Sequence, residues 1–363
     1  MGYIKQLDFI RAMAVILVIV SHWIPRHTYT FIELGTLGVD IFFVLSGFLI
    51  TTIILIKKDE IEENTNSLSK RKAIWNFIVR RALRIFPIYY FLLIILYIGY
   101  DLLPNPIPQD WPYYCFYLQN IRFYIMNQVA GGKVAHLWSL AVEEQFYFFW
   151  PWLLYYVNKK YVKNILFTGF ILGSFLTITF LSFYPDKQLF LLTLPACLPS
   201  FCLGGLLSYY TIHKFSWIEN QYSRIRMFAF ISILIYIFIQ YFFPDFNSVD
   251  RILNSFFAIW IISIIVLNQY PNFYLFNNNY FISLGKVSYG VYLYHNFIPV
   301  SLNALLHFLL KKKIFFSFAL FFSFIQNNNF IFFLVCTLIL LFISYVSYYL
   351  IETPFLRLKK YFE

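Results

Sequence analysis

Apolar residues in this chain run in long unbroken stretches instead of alternating with polar ones. The stretches fall near 7–25, 38–56, 77–100, 137–157, 164–183, 189–210, 227–243, 251–268, 287–309 and 330–350. A helix of about 20 apolar residues crosses a bilayer, and only helices or closed barrels can do so. The pattern therefore predicts an all-α integral membrane protein, with about ten transmembrane helices forming one bundle.

The polar punctuation orients that bundle. Lys57, Lys58, Lys70, Arg71, Lys72, Arg80, Arg81 and Arg84 cluster between spans two and three. Lys159, Lys160 and Lys163 follow span four, Lys214, Arg224 and Arg226 follow span six, and Arg357, Lys359 and Lys360 close the chain. With an even number of spans these groups share one side, so both termini are expected in the cytoplasm. Lys311, Lys312 and Lys313 land on the other side, and the Phe-rich stretch 314–325 is too short to span. A re-entrant or interfacial segment is expected there.

The stretch 58–72 reads as a cytoplasmic loop, and 101–135, with Pro104, Pro106, Pro108 and Pro112, as the longest outer one. Only about a dozen residues follow the last span, which predicts a single membrane domain over 1–363 with no appended extracytoplasmic domain. Lys5 and Arg11 precede an apolar stretch without a small-residue cleavage site, so the N-terminus reads as a retained span.

Composition agrees. The chain of 363 residues is 60% hydrophobic, 23% aromatic and 12% charged, where soluble domains carry about 25% charged residues. A net charge of +11 would suggest nucleic acid in a soluble protein. Here the basic residues sit in short loops, which the positive-inside rule explains without a polyanionic partner. Cys115, Cys197, Cys202 and Cys336 offer neither a disulfide framework nor metal-ligand spacing.

Against this apolar background the ionisable residues stand out, since such groups inside a span are functional-site candidates by default. Arg11 and His22 are eleven positions apart in the first span. That spacing puts them about 20° apart on one helix face and ~16 Å apart along it. A snorkelling basic flank and a satisfied helix-end histidine is the bland alternative. Asp8, three residues before Arg11, suits an intrahelical ion pair.

Arg81 and Arg84 share one face at the start of span three. They can grip phosphate through paired guanidiniums, or simply set topology. Ser139 and Glu143 share a face of span four, beside Glu144 and Gln145. Carboxylates a full turn into an apolar run are costly unless they are paired or face a polar cavity. Asp40 stands at the depth expected for His22, as a helix cap or as its partner, and Ser46-Gly47 offers a small surface for helix packing. His295 reads more simply as a hydrogen-bonded core histidine than as a catalyst.

Taken together these segments resemble acyltransferase family 3, the bacterial membrane O-acetyltransferases of lipopolysaccharide, peptidoglycan and other glycans. The matching stretches are Leu7-Asp8-Phe9-Ile10-Arg11 through His22, Gly38-Val-Asp40 through Ser46-Gly47, and Arg81-x-x-Arg84. Leu137-Trp-Ser-Leu-x-Val-Glu143-Glu144-Gln145-Phe-Tyr147, Gly285-Lys-Val-Ser288-Tyr289 through His295, and Ile351-Glu352-Thr-Pro354 follow in family order. The resemblance implies an acyltransferase of the bacterial inner membrane. It implies acyl-CoA, usually acetyl-CoA, as donor substrate, with no permanently bound cofactor, and a glycan or glycolipid hydroxyl as acceptor. Arg11 and His22 would belong to the essential motif of the first helix and Arg81 and Arg84 to the donor site. Glu143 joins the expected catalytic set, with Asp40, Ser139, Glu144 and His295 in support.

On this basis a pore is expected through the bundle. Arg81 and Arg84 would hold the nucleotide at its cytoplasmic mouth, and His22 would act as general base or transient acyl carrier, oriented by Glu143 or Asp40. A transporter without acyl-transfer chemistry is the competing class. It predicts inverted repeats and broken mid-membrane helices, and no convincing inverted pair is visible.

Overall fold

The computed structural model describes residues 4–24, 33–63, 68–98, 110–129, 132–243, 246–270, 273–311 and 329–362. Among them all regular structure is helical. The expected re-entrant segment at 310–328 falls almost wholly outside these residues. The long helices are α1 (Gln6–Trp23), α2 (Leu34–Glu62), α3 (Lys70–Ile98), α6 (Trp138–Tyr156), α7 (Lys159–Phe183) and α8 (Leu194–His213). They continue with α10 (Tyr222–Phe242), α11 (Asp250–Val266), α12 (Asn279–Tyr294), α13 (Phe297–Lys311) and α14 (Asn329–Ser347). Short helices α4 (Trp111–Cys115), α5 (Gln119–Met126), α9 (Phe215–Asn220) and α15 (Thr353–Arg357) complete the set.

By length and composition six of the described helical runs can cross a membrane: α1, α2, α3, α7, α10 and the run Asn329–Phe362. Helices α6, α8, α11 and α12, of 19, 20, 17 and 16 residues, occupy further predicted positions. The stretch 287–309 departs from expectation, because a break at His295-Asn296 divides it between α12 and α13. Pro299 explains the break. It lacks the N–H that would bond back to the His295 carbonyl, and its ring crowds that oxygen. The freed carbonyl accepts a hydrogen bond from Trp23 Nε1 at 3.1 Å, tying the break to the end of α1.

Helix α2 runs through the middle, packed by α1, α6, α8 and α11, while α7, α10 and α14 present apolar surface outward. Close crossings need glycine. A Cβ on Gly47 would collide with the Phe201 backbone of α8, and one on Gly204 with the Val44 carbonyl of α2. Gly285 of α12 lies against the Asp8 carbonyl of α1 in the same way.

One end of the bundle gathers the basic loops. Lys159 pairs with Asp59 at 2.8 Å, and His213 lies 3.8 Å from the same carboxylate. Lys58, which the sequence offered only as loop charge, is fully buried and donates to the Leu154 and Val157 carbonyls that end α6. It caps that helix where its dipole favours a cation. At the opposite end the segment 110–129 folds onto α3 and α6. Tyr89 and Tyr90 donate to the Tyr114 and Cys115 carbonyls, and Gln145 donates to the Tyr117 carbonyl at 2.8 Å and to Asn120 at 2.9 Å.

Candidate functional site

Three arginines from two helices meet inside the bundle. Arg11 of α1 and Arg81 and Arg84 of α3 line one cavity of about 90 Å³, together with Ser46, Ser139, Glu143, Tyr147 and Tyr292. A water molecule needs roughly 10–15 Å³ on this measure, so the chamber is large enough for a small polar group. Arg11 forms the predicted ion pair with Asp8. Arg81 lies over the rings of Phe77 and Tyr147, at 5.5 Å and 5.6 Å from their centroids. Ser46, expected to serve packing, instead donates to Glu143 Oε1 at 2.7 Å and sits 3.0 Å from Tyr147 Oη. The next residue, Gly47, carries the packing role.

A second cavity, of about 360 Å³, adjoins the first at the basic end. Arg81 and Arg84 line both, and Lys57, Asn76, Phe77, Arg80, Tyr155 and Lys359 add to this one. Cations from α2, α3 and the C-terminal segment thus converge on one space with no carboxylate among its described lining, although Lys57 pairs with Glu60 at 3.0 Å. Repulsion among them would be relieved by a bound polyanion, and guanidiniums suit phosphate oxygens in particular. Glu352, in a π turn at Tyr348–Glu352, is buried on the flank of this site, and the cations that act on it are Arg84 and Lys359. Such turns recur at functional sites.

His22 is not part of that lining. It sits exposed at the other end of α1, where its Nδ1 lies 2.8 Å from the Val18 carbonyl. A carbonyl can only accept, so Nδ1 carries a proton, and in the neutral ring the lone pair is on Nε2. Its ring stands edge-on to His295 at 4.9 Å, and His295 stands edge-on to His136 at 4.7 Å. The orienting roles expected of Glu143 and Asp40 are not observed. Glu143 is engaged by Ser46, whereas Asp40 pairs with Arg251 Nε at 3.1 Å and accepts from Asn254 at 2.9 Å. His295 is not the satisfied core residue expected either. Its Nδ1 bonds to the Tyr292 carbonyl at 2.6 Å, but its buried Nε2 has no hydrogen-bond partner.

Between cavity and histidines stands a polar seal. Ser139 Oγ and Tyr292 Oη are 2.6 Å apart, and Tyr292 donates to the His136 carbonyl at 3.0 Å. The Tyr292 ring lies 5.5 Å from both His136 and His295. Among the described residues the cationic chamber ends at Ser139 and Tyr292 and the imidazoles lie beyond, so the expected continuous pore to His22 is not seen. His136 is buried in the 3-10 turn before α6, and burial, reinforced by the His22 imidazole, pushes its pKa down to about 3.

Sequence reasoning missed several members of this arrangement. Arg251 is buried against Cys197 and lies over the Phe43 and Trp138 rings. Its signal in the sequence equals that of Arg11, a lone arginine at the head of an apolar run. Tyr147 and Tyr292 lie within the resembling stretches, but in a chain with 30 tyrosines nothing singled them out for a role. Among the described residues no cluster of His, Cys, Asp or Glu can hold a metal ion.

Comparison with known proteins adds a separate line of evidence. A family model described as an acyltransferase domain matches residues 4–349. The chain is 29% identical over 318 residues to the peptidoglycan O-acetyltransferase OatA of Listeria monocytogenes (serovar 1/2a), covering 81% of this chain and 49% of that protein. It is 28% identical over 327 residues to the O-acetyltransferase OatA of Staphylococcus aureus (strain NCTC 8325), covering 83% and 51%. The chain therefore spans about half the length of the curated relatives it matches. No solved structure matches it.

Proposed function

The chain belongs to acyltransferase family 3, and from that premise we propose that it moves an acyl group, acetyl foremost, from cytoplasmic acyl-CoA to a hydroxyl of an extracytoplasmic glycan. The observation that carries this reading is the pair of adjoining cavities sharing Arg81 and Arg84. The larger one offers cations and the rings of Phe77 and Tyr155 to a phosphorylated nucleotide. The smaller one offers Arg11, Ser46 and Glu143 to the thioester end.

The anionic nucleotide cannot enter hydrocarbon cheaply, so it stays at the basic end while the thin pantetheine arm reaches inward. On this reading the basic end faces the cytoplasm, in keeping with the positive-inside rule, and the bundle spans the inner membrane about ten times. His22 then stands on the acceptor side, with its Nε2 lone pair available. The acceptor oxygen attacks the acyl carbon, its proton passes to Nε2, and the departing thiolate is protonated as CoA thiol. Alternatively Nε2 itself attacks the thioester and expels CoA, which leaves as the thiol with the proton from Nδ1; the acceptor hydroxyl then cleaves the acyl-imidazole and its proton returns to the ring. Either route requires the Ser139–Tyr292 contact to open.

The OatA relative of Listeria is named for peptidoglycan, which makes cell-envelope glycan the first acceptor to test. The O-acetyl content of that glycan, measured by NMR in cells with this protein, without it, and with His22→Ala, tests the proposal. Loss of O-acetyl groups in both deficient cells is expected. Unchanged content without the protein would remove the glycan as acceptor.

A further inference from the structure

The wall between α3 and α6 holds a third cavity, of about 280 Å³, for which acyl transfer from CoA has no use. Ile78, Ala82 and Phe86 of α3 line one side, Phe148 and Phe149 of α6 the other, and Phe116 the rim. Phe86, Phe116, Phe148 and Phe149 are all exposed on the outer surface of the bundle. By helical rise Glu144 and Phe149 lie roughly 9 Å and 16 Å along α6, well within a hydrocarbon core of about 30 Å. With α6 taken as a span, as the sequence pattern predicts, the mouth opens sideways, toward lipid tails.

Its interior is not made for tails alone, because Arg81, Tyr117, Glu144, Gln145 and Tyr147 also line it. Gln145 is engaged by Tyr117 and Asn120, and Tyr147 by Ser46. Glu144 Oε1 and Tyr117 Oη differ, since both are buried without a hydrogen-bond partner. Buried polar atoms nearly always have a partner, supplied by protein, water or ligand. A carboxyl oxygen accepts and a phenol donates, and a hydroxyl group can satisfy both at once. A charged headgroup at this depth would carry a heavy desolvation penalty.

We propose that this lateral cavity binds a neutral lipid with a free hydroxyl, taken directly from the bilayer. The hydroxyl sits between Glu144 and Tyr117, and the hydrocarbon lies along Phe86, Phe148 and Phe149. Arg81 and Tyr147 wall both this cavity and the central one, so the bound hydroxyl stands one side chain from the acyl-transfer chamber. The proposal does not depend on the identity of the acyl donor or the glycan.

Purified protein in phosphatidylcholine vesicles containing a photoreactive diacylglycerol provides the test, with crosslinks mapped by mass spectrometry. Label is expected within 78–86 and 144–149, and Ala82→Trp, which fills the α3 wall, should remove it. In the unmodified protein, unlabelled diacylglycerol should compete about tenfold better than its 3-O-acetyl ester, the effect of one lost hydrogen bond. Equal competition by the two lipids would overturn the proposal, whether or not the Trp variant folds. Label scattered over the whole lipid-facing surface, or untouched in a folded Ala82→Trp protein, would also overturn it.

Discussion

Ser139 Oγ and Tyr292 Oη meet at 2.6 Å where the arginine-lined cavity ends and the histidines begin. Tyr292 also holds the His136 carbonyl at 3.0 Å, so a single phenol joins α6, α12 and the turn before α6. Tyr292→Phe removes both contacts but leaves Ser139 Oγ and the His136 carbonyl bonded to each other at 3.2 Å, so stability should fall by only about 1 kcal/mol. Donor affinity should change little, because Tyr292 lines only the chamber of the thioester end and not the cavity that holds the nucleotide. A thermal melt in detergent and an acyl-CoA binding titration on the same sample check both halves.

The shared cavities make a graded prediction for the cations. Replacing Arg81 and Arg84 together by Ala removes two charge-assisted contacts of about 1.5–3 kcal/mol each. Acyl-CoA affinity should then fall by two orders of magnitude or more. Lys359→Ala, at the cavity edge, should cost roughly threefold to tenfold at low salt and less at high salt. Isothermal titration at two salt concentrations separates these outcomes. An unchanged affinity in the double variant would remove both arginines from the donor site.

Glycine contacts predict a contrast between neighbours on α12. Gly285→Ala pushes a methyl group into the Asp8 backbone and should force α1 and α12 apart, with a loss of about 2 kcal/mol or more. Gly290→Ala meets nothing nearer than 3.5 Å and should be tolerated. Folded yield and melting temperature of the two variants report the difference.

The Asp40–Arg251 pair predicts non-additivity. Arg251→Met alone strands a buried carboxylate and should cost about 3–5 kcal/mol, while adding Asp40→Asn should recover part of that. A double-mutant cycle in stability reads the coupling. A cycle that closes to zero would show that the pair holds nothing together.

His136 gives the stability a sign with pH. Folding depresses its pKa from an ordinary value near 6.5 to about 3, so its contribution is complete above pH 6.5 and drains away as pH falls. Between pH 6.5 and 5 the loss should be about 2 kcal/mol, at 1.36 kcal/mol per unit. His136→Gln should flatten that part of the stability profile.

Much of this architecture was legible beforehand, for identifiable reasons. Spans announce themselves because a bilayer demands continuous apolar runs, and Arg11 and His22 share a face by arithmetic alone. The Asp8–Arg11 pair follows from spacing. The partners of Asp40 and Glu143 did not, because Arg251 and Ser46 arrive from distant helices. The break at His295 was written in Pro299, four residues on, yet the apolar run concealed it. The seal at Tyr292 is a tertiary contact that no local pattern encodes.

The central claim is that the cationic end receives the donor and the histidine end delivers the acyl group. Reconstituted, uniformly oriented vesicles test it, with acetyl-labelled acetyl-CoA supplied only on the Lys57 side and a glycan acceptor only on the His22 side. The account predicts labelled O-acetyl glycan, abolished by His22→Ala. Labelled product only when both substrates share one side, or undiminished product from His22→Ala, would contradict it.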